Sequence, residues 1–73
     1  MTNQEIVHEV AKRVNGTVRE DYSGRGMFGK TCMGVVCDEA IEAIEQAASL
    51  GLFGAITDNM GKGWIVYWRH VQS

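Results

Sequence analysis

Long apolar stretches are missing from this chain of 73 residues. None approaches the roughly 18 residues that mark a membrane-spanning helix. The first residues, Met1-Thr2-Asn3-Gln4-Glu5, lack a basic segment followed by an apolar one, so no signal peptide is expected and cytoplasmic residence is the default. A strong charge of either sign is also missing. Nine acidic and seven basic side chains leave a net −2, and no global basic field draws the chain to nucleic acid. Cysteine is scarce. Cys32 and Cys37 are the two present, and their odd separation along an expected strand puts them on opposite faces. They should not bridge each other, and with His8 and His70 far off at the chain's ends they make a poor zinc site. Free, largely buried thiols are expected, with no metal or other cofactor.

What is present first attracts the eye at 24–31, Gly24-Arg25-Gly26-Met27-Phe28-Gly29-Lys30-Thr31. The octet satisfies G-x-x-x-x-G-K-[ST] and also G-x-G-x-x-G. A phosphate loop, however, leaves a buried parallel strand and opens into a helix whose N-terminus faces the anion. Upstream lies Thr17-Val18-Arg19-Glu20-Asp21-Tyr22, charged and alternating. Downstream, Thr31 to Cys37 is rich in β-branched residues and reads as a strand. Strand, glycine loop and strand make a hairpin, and a chain this short has too few βα units for a nucleotide-hydrolysing core. The expectation is a mobile, glycine-rich hairpin loop bearing two cations, Arg25 and Lys30.

Periodicity divides the remainder. Thr2 and Glu5 form a capping box for a helix over 3–14, with Ile6, Val7, Val10, Ala11 and Val14 on one stripe. Asn15-Gly16 stops it. Strands follow over 17–22 and 31–37. Asp38 reads as the N-cap of a second helix over 39–50 with an Ala40, Ile41, Ile44, Ala47, Ala48 stripe. Phe53–Asp58 reads as a short strand, 59–63 as a turn, and Trp64 to about His70 as the last strand. Gly29-Lys30 and Gly61-Lys62 faintly echo each other. The fold class is therefore α+β, a two-layer sandwich in the order αββαββ. A four-stranded, mostly antiparallel sheet carries two helices on one face. It forms a single domain, 1–73, with pseudo-repeat halves 1–37 and 38–73.

Only one sheet face can lie under the helices. The last strand alternates Trp64, Val66, Trp68, His70 on one side with Ile65, Tyr67, Arg69, Val71 on the other, and both sides carry apolar bulk. The helix-free face, bearing either Trp64 and Trp68 or Tyr67 and Arg69, is expected to be exposed and to bind protein, or to form a homodimer seam. A second candidate surface is acidic. Asp38, Glu39, Glu42 and Glu45 gather on the second helix with no Lys or Arg among residues 38–50, either as a solvated face or as a patch for a basic partner. Ser23, His8 and His70 do not combine into a catalytic set, and no enzyme is expected.

At Asp21-Tyr22-Ser23-Gly24-Arg25-Gly26-Met27-Phe28-Gly29-Lys30-Thr31-Cys32 the chain resembles small proteins of phages and bacteria with a Tyr-Ser-Gly-Arg-Gly-Met-aromatic-Gly-Lys-Thr-Cys segment and no established activity. The resemblance covers about a sixth of the sequence. It implies a viral source, residence in a host cytoplasm, and modulation or inhibition of a host protein. Three expectations stand: a non-catalytic protein-binding module; phosphate, nucleotide or nucleic-acid binding through the 24–31 loop with Arg25 and Lys30; and a homodimeric structural protein.

Overall fold

The computed structural model describes residues 1–25 and 27–72. Gly26, the middle glycine of the loop motif, lies outside the described residues. Among those described, the order is α1 (Asn3–Arg13), β1 (Thr17–Tyr22), β2 (Cys32–Cys37), α2 (Ala40–Ser49), β3 (Ile56–Asn59) and β4 (Trp64–Tyr67). This is the expected αββαββ sequence of an α+β fold.

Local chemistry sets most boundaries. Thr2 Oγ1 accepts from the Glu5 amide at 3.1 Å, and Glu5 Oε1 accepts from the Thr2 amide at 2.7 Å, completing the capping box. Asn15 takes a left-handed φ of 56°, which ends α1 where the sequence implied. Arg13 pairs with Glu9 one turn back at 3.0 Å and also donates to Gln46 of α2 at 3.0 Å. The second helix departs from expectation. Its N-cap is Glu39, with no side-chain capping bond, and Asp38 stands one residue too early to cap it.

The sheet runs β1-β2-β4-β3, every neighbouring pair antiparallel. Each hairpin thus contributes its second strand to the centre. The helix-side core joins Ile6, Val7, Val10 and Ala11 of α1 and Ala43 and Ala47 of α2 to Met33, Val35, Val66 and Trp68. Burying a side chain of Val, Leu or Phe size contributes about 1.5–3 kcal/mol, so this layer dominates stability. Cys37 belongs to it as well, whereas Cys32 belongs to a second cluster on the opposite face with Met27, Ile65 and Tyr67. The two thiols therefore sit on opposite faces, as their spacing implied. Burial raises the pKa of both.

Strand ends differ from expectation for identifiable reasons. Gly54, with φ +88°, delays the third strand, so Phe53 stays outside it and 66% exposed. The last strand closes early because the chain turns after Trp68, where the Val71 amide bonds the Trp68 carbonyl at 3.0 Å. That turn returns Val71 to the helix-side core beside Trp68, not to the side of Ile65 and Tyr67.

A bulge in β1 has the largest effect on the other face. Arg19 pairs with Gly34, yet Tyr22 pairs with Cys32. Three steps on one strand thus match two on its partner. The extra residue switches Tyr22 to the face of Cys32. There its ring lies 5.0 Å from that of Tyr67, tilted by 58°, and Arg19 approaches it at 5.7 Å. Its hydroxyl donates to Asp58 Oδ2 at 2.6 Å. One hydrogen bond thereby ties the two edge strands across the helix-free face.

That tie has a pH signature. Desolvation and then the Asp58 hydrogen bond push the Tyr22 phenol up from 10 to about 12. The folded state holds the proton more tightly than the unfolded chain does. The resulting stabilisation is fully present below pH 10 and is lost as pH rises towards 12. Urea midpoints measured across that window should fall more steeply for the parent protein than for Tyr22→Phe; parallel curves would contradict the tie.

Candidate functional site

The helix-free face is not the open aromatic patch the alternation suggested. Tyr67 and Trp68 are both 0% exposed. Trp68 is sealed under the helices, and Tyr67 lies beneath the loop that joins β1 to β2. Their assignment to a contact surface is thus corrected, and the homodimer seam expected on that face loses its basis. Of the aromatic set, Trp64 keeps 36% exposure, and Arg69 is exposed.

The loop covers the sheet because Gly24 lets it descend. A Cβ at that position would stand 2.6 Å from Asp58 Oδ2, 2.7 Å from Tyr67 Oη and 2.8 Å from the Tyr22 ring. Two tight turns follow. The Met27 amide bonds the Gly24 carbonyl at 3.1 Å, and the Lys30 amide bonds the Met27 carbonyl at 3.0 Å. Between them Met27 inserts against Cys32, Ile65 and Tyr67 and is 4% exposed. These two bonds and the buried Met27 side chain hold the described part of the loop against the sheet.

The second turn has an unusual tip. Phe28 and Gly29 carry φ angles of +51° and +86°, the pair of left-handed residues that a type I′ turn requires. Asn-Gly is the favoured pair there, because a Cβ crowds the following carbonyl; a bulky side chain costs about 1–2 kcal/mol. Phe28 is nevertheless the central residue, and 89% of it faces water. Beside it lies a hollow of about 360 Å³ lined by Met27, Phe28, Lys30, Arg69 and Gln72, cationic and without a carboxylate among those lining residues. Arg25, also exposed, stands on the same loop above a polar hollow of about 440 Å³ that includes Tyr22, Ser23, Asp58 and Asn59.

This geometry does not resemble a nucleotide phosphate loop. Lys30 and Thr31 lead into strand β2 rather than a helix. Two amides that would face a phosphate, those of Met27 and Lys30, are already bonded within the loop's own turns. The Gly61-Lys62 echo has no equivalent role: Gly61 lies in a short β3–β4 turn where its amide bonds Asn59 Oδ1 at 2.7 Å.

The acidic candidates form a separate surface. Glu39, Glu42 and Glu45 are all exposed. Ile41, expected on the buried stripe of α2, is 71% exposed among them. Between α2 and β3 runs a groove of about 480 Å³ lined by Asp38, Glu39, Ile41, Ile44, Thr57 and Trp64. Ser23, His8 and His70 stay apart; His8 faces Glu20 at 3.9 Å across α1 and β1, and His70 lies in the turn after β4. Among the described residues no group of three or more His, Cys, Asp and Glu could hold a metal ion, and no helix is long and apolar enough to cross a membrane.

Phe28, exposed on a left-handed backbone, is a candidate contact residue that the sequence reading did not single out. The sequence carried little signal for it, because the turn at 27–30 lies inside the longer connection between β1 and β2. Comparison with protein-family models, curated proteins and solved structures finds no match.

Proposed function

We propose that the chain is a small, non-catalytic protein-binding module whose anchor is Phe28 and whose partner surface is apolar and acidic. One observation carries the reading. Phe28 is disfavoured twice, by its left-handed backbone and by its 89% exposure. Strained backbone persists where the surroundings enforce it and is concentrated at functional sites. Burial of a phenylalanine against a partner returns about 1.5–3 kcal/mol, enough to offset that cost on binding. Lys30 and Arg69 beside the ring, with Arg25 on the same loop, select an acidic surface and accelerate encounter. The resemblance at residues 21–32 to phage proteins adds the proposal that the partner is a host protein, bound in the host cytoplasm and modulated by the contact.

The same aromatic and cationic residues favour a second reading, stacking of a single-stranded nucleic acid base on Phe28 with phosphates at Lys30 and Arg69. The net charge of −2 weighs against it. Affinity capture from host lysate, run beside titration with single-stranded oligonucleotides, separates the two. The parent protein should retain a partner that Phe28→Asn and Lys30→Glu both lose, with retention falling as salt rises. Equal capture by all three proteins overturns the reading; saturable oligonucleotide binding that Phe28→Asn abolishes transfers it to nucleic acid.

A further inference from the structure

Two surfaces of opposite chemistry stand at opposite ends of one strand. The Phe28 tip with Lys30 immediately precedes β2. The groove's Asp38 and Glu39 immediately follow it, and Trp64 of the groove pairs with Cys37, the last residue of β2, while Cys32 at the first residue pairs with Tyr22. Six residues of strand separate them, ~17 Å of extended backbone, and they lie on opposite faces of the sheet. The tip therefore cannot enter the groove of its own chain.

The groove is nonetheless complementary to the tip. Its apolar floor is Ile41, 71% exposed, with half-buried Ile44 and Trp64 at 36%. Its rim is Asp38 and Glu39, and no Lys or Arg lines it. Glu42 and Glu45 extend the negative charge along α2. A volume of about 480 Å³ leaves ample room for a phenyl ring, since an apolar cavity of about 150 Å³ already holds benzene. Ile41 is an apolar side chain in water on an otherwise acidic surface, just as Phe28 is an apolar side chain in water beside cations. Each surface supplies what the other lacks.

We propose that the groove between α2 and β3 receives the Phe28 tip of a second copy of this chain, so that the protein self-associates head to tail. The proposal rests on the reading of Phe28 as a binding anchor and names its acidic partner. Because the two contacting patches differ, the interface is heterologous, and it continues as an open chain or closes as a ring. Lys30 faces Asp38 and Glu39 across the interface, so association weakens as salt screens the charges.

Sedimentation velocity across a concentration series tests this with two variants, Phe28→Ala at the tip and Ile41→Glu in the groove. Both positions are exposed, so both variants keep the fold, which circular dichroism checks. The average mass of the parent protein should rise with concentration and fall back at high salt. Each variant alone should run as a monomer. An equimolar mixture should give a heterodimer and nothing larger, because one copy keeps its groove and the other its tip. A parent protein that stays monomeric at about millimolar concentration, the range of the weakest useful contacts, overturns the inference. So does association that survives either substitution, or a mixture that stays monomeric. If lysate capture still depends on Phe28 while the parent protein is monomeric, only self-association fails and the binding-module reading stands.

Discussion

Alanine at position 68 should remove about 3–5 kcal/mol of stability, the usual loss for a buried tryptophan. A chain of this length has roughly 4–11 kcal/mol in total at typical per-residue values, so the variant loses a large share of its fold. Trp68 is 0% exposed in the core that both helices share. Thin cores of small domains have few alternative contacts with which to collapse around a cavity. Its indole Nε1 is buried with no hydrogen-bond partner among the described residues, an arrangement that costs free energy. Trp68→Phe retains most of the apolar volume and removes the orphaned N–H, so it should cost far less than alanine. Urea unfolding followed by circular dichroism measures both. The same substitution at Trp64, 36% exposed, should have a small effect; equal losses at 64 and 68 would contradict the burial pattern.

Gly24→Ala should cost about 1–3 kcal/mol through overpacking, although it adds one methyl group in a loop. The nearest atoms to that methyl are Asp58 Oδ2 at 2.6 Å and Tyr67 Oη at 2.7 Å. Neither yields easily. Tyr67 is 0% exposed, and Asp58 is held by the Tyr22 hydroxyl. The loop must lift, and lifting it uncovers Met27 and the cluster beneath. Destabilisation should therefore come with faster hydrogen exchange at the amides of Met27 and Lys30, whose bonds close the two turns. A Gly24→Ala protein with unchanged midpoint and unchanged exchange would mean that the loop does not close this face.

Much of the fold was legible because it is written locally. The Thr2/Glu5 capping box, the α1 stripe, the Asn15 stop and the β-branched run at 32–37 each state their element within a few residues. The mismatch with a phosphate loop was legible too, from the charged run at 17–22, the strand reading of 31–37 and the shortness of the chain. The rest required knowledge of what lies opposite. The bulge that turns Tyr22 towards Asp58 is a matter of pairing between strands, and alternation counted along one strand cannot reveal it. Equally, Val71 rejoins the helix-side core through a turn that hydropathy alternation does not register. The site was legible in part. Arg25, Lys30 and Arg69 are exposed as expected and Glu39, Glu42 and Glu45 form an acidic face, but Tyr67 and Trp68 are interior. Their aromatic bulk resembled a hot spot because sequence does not distinguish a covered face from a bare one. Here the helices cover Trp68, and the loop that resembled a nucleotide motif covers Tyr67.

The central claim is that Phe28 is held in water for contact with a partner, at a cost to the fold. Urea unfolding of Phe28→Asn against the parent protein tests it most directly, since asparagine tolerates the left-handed backbone and the substitution removes almost no buried surface. The variant should be the more stable of the two, by about 1 kcal/mol, while losing its partner. A variant that unfolds at lower urea than the parent would assign Phe28 to the fold itself and contradict the account.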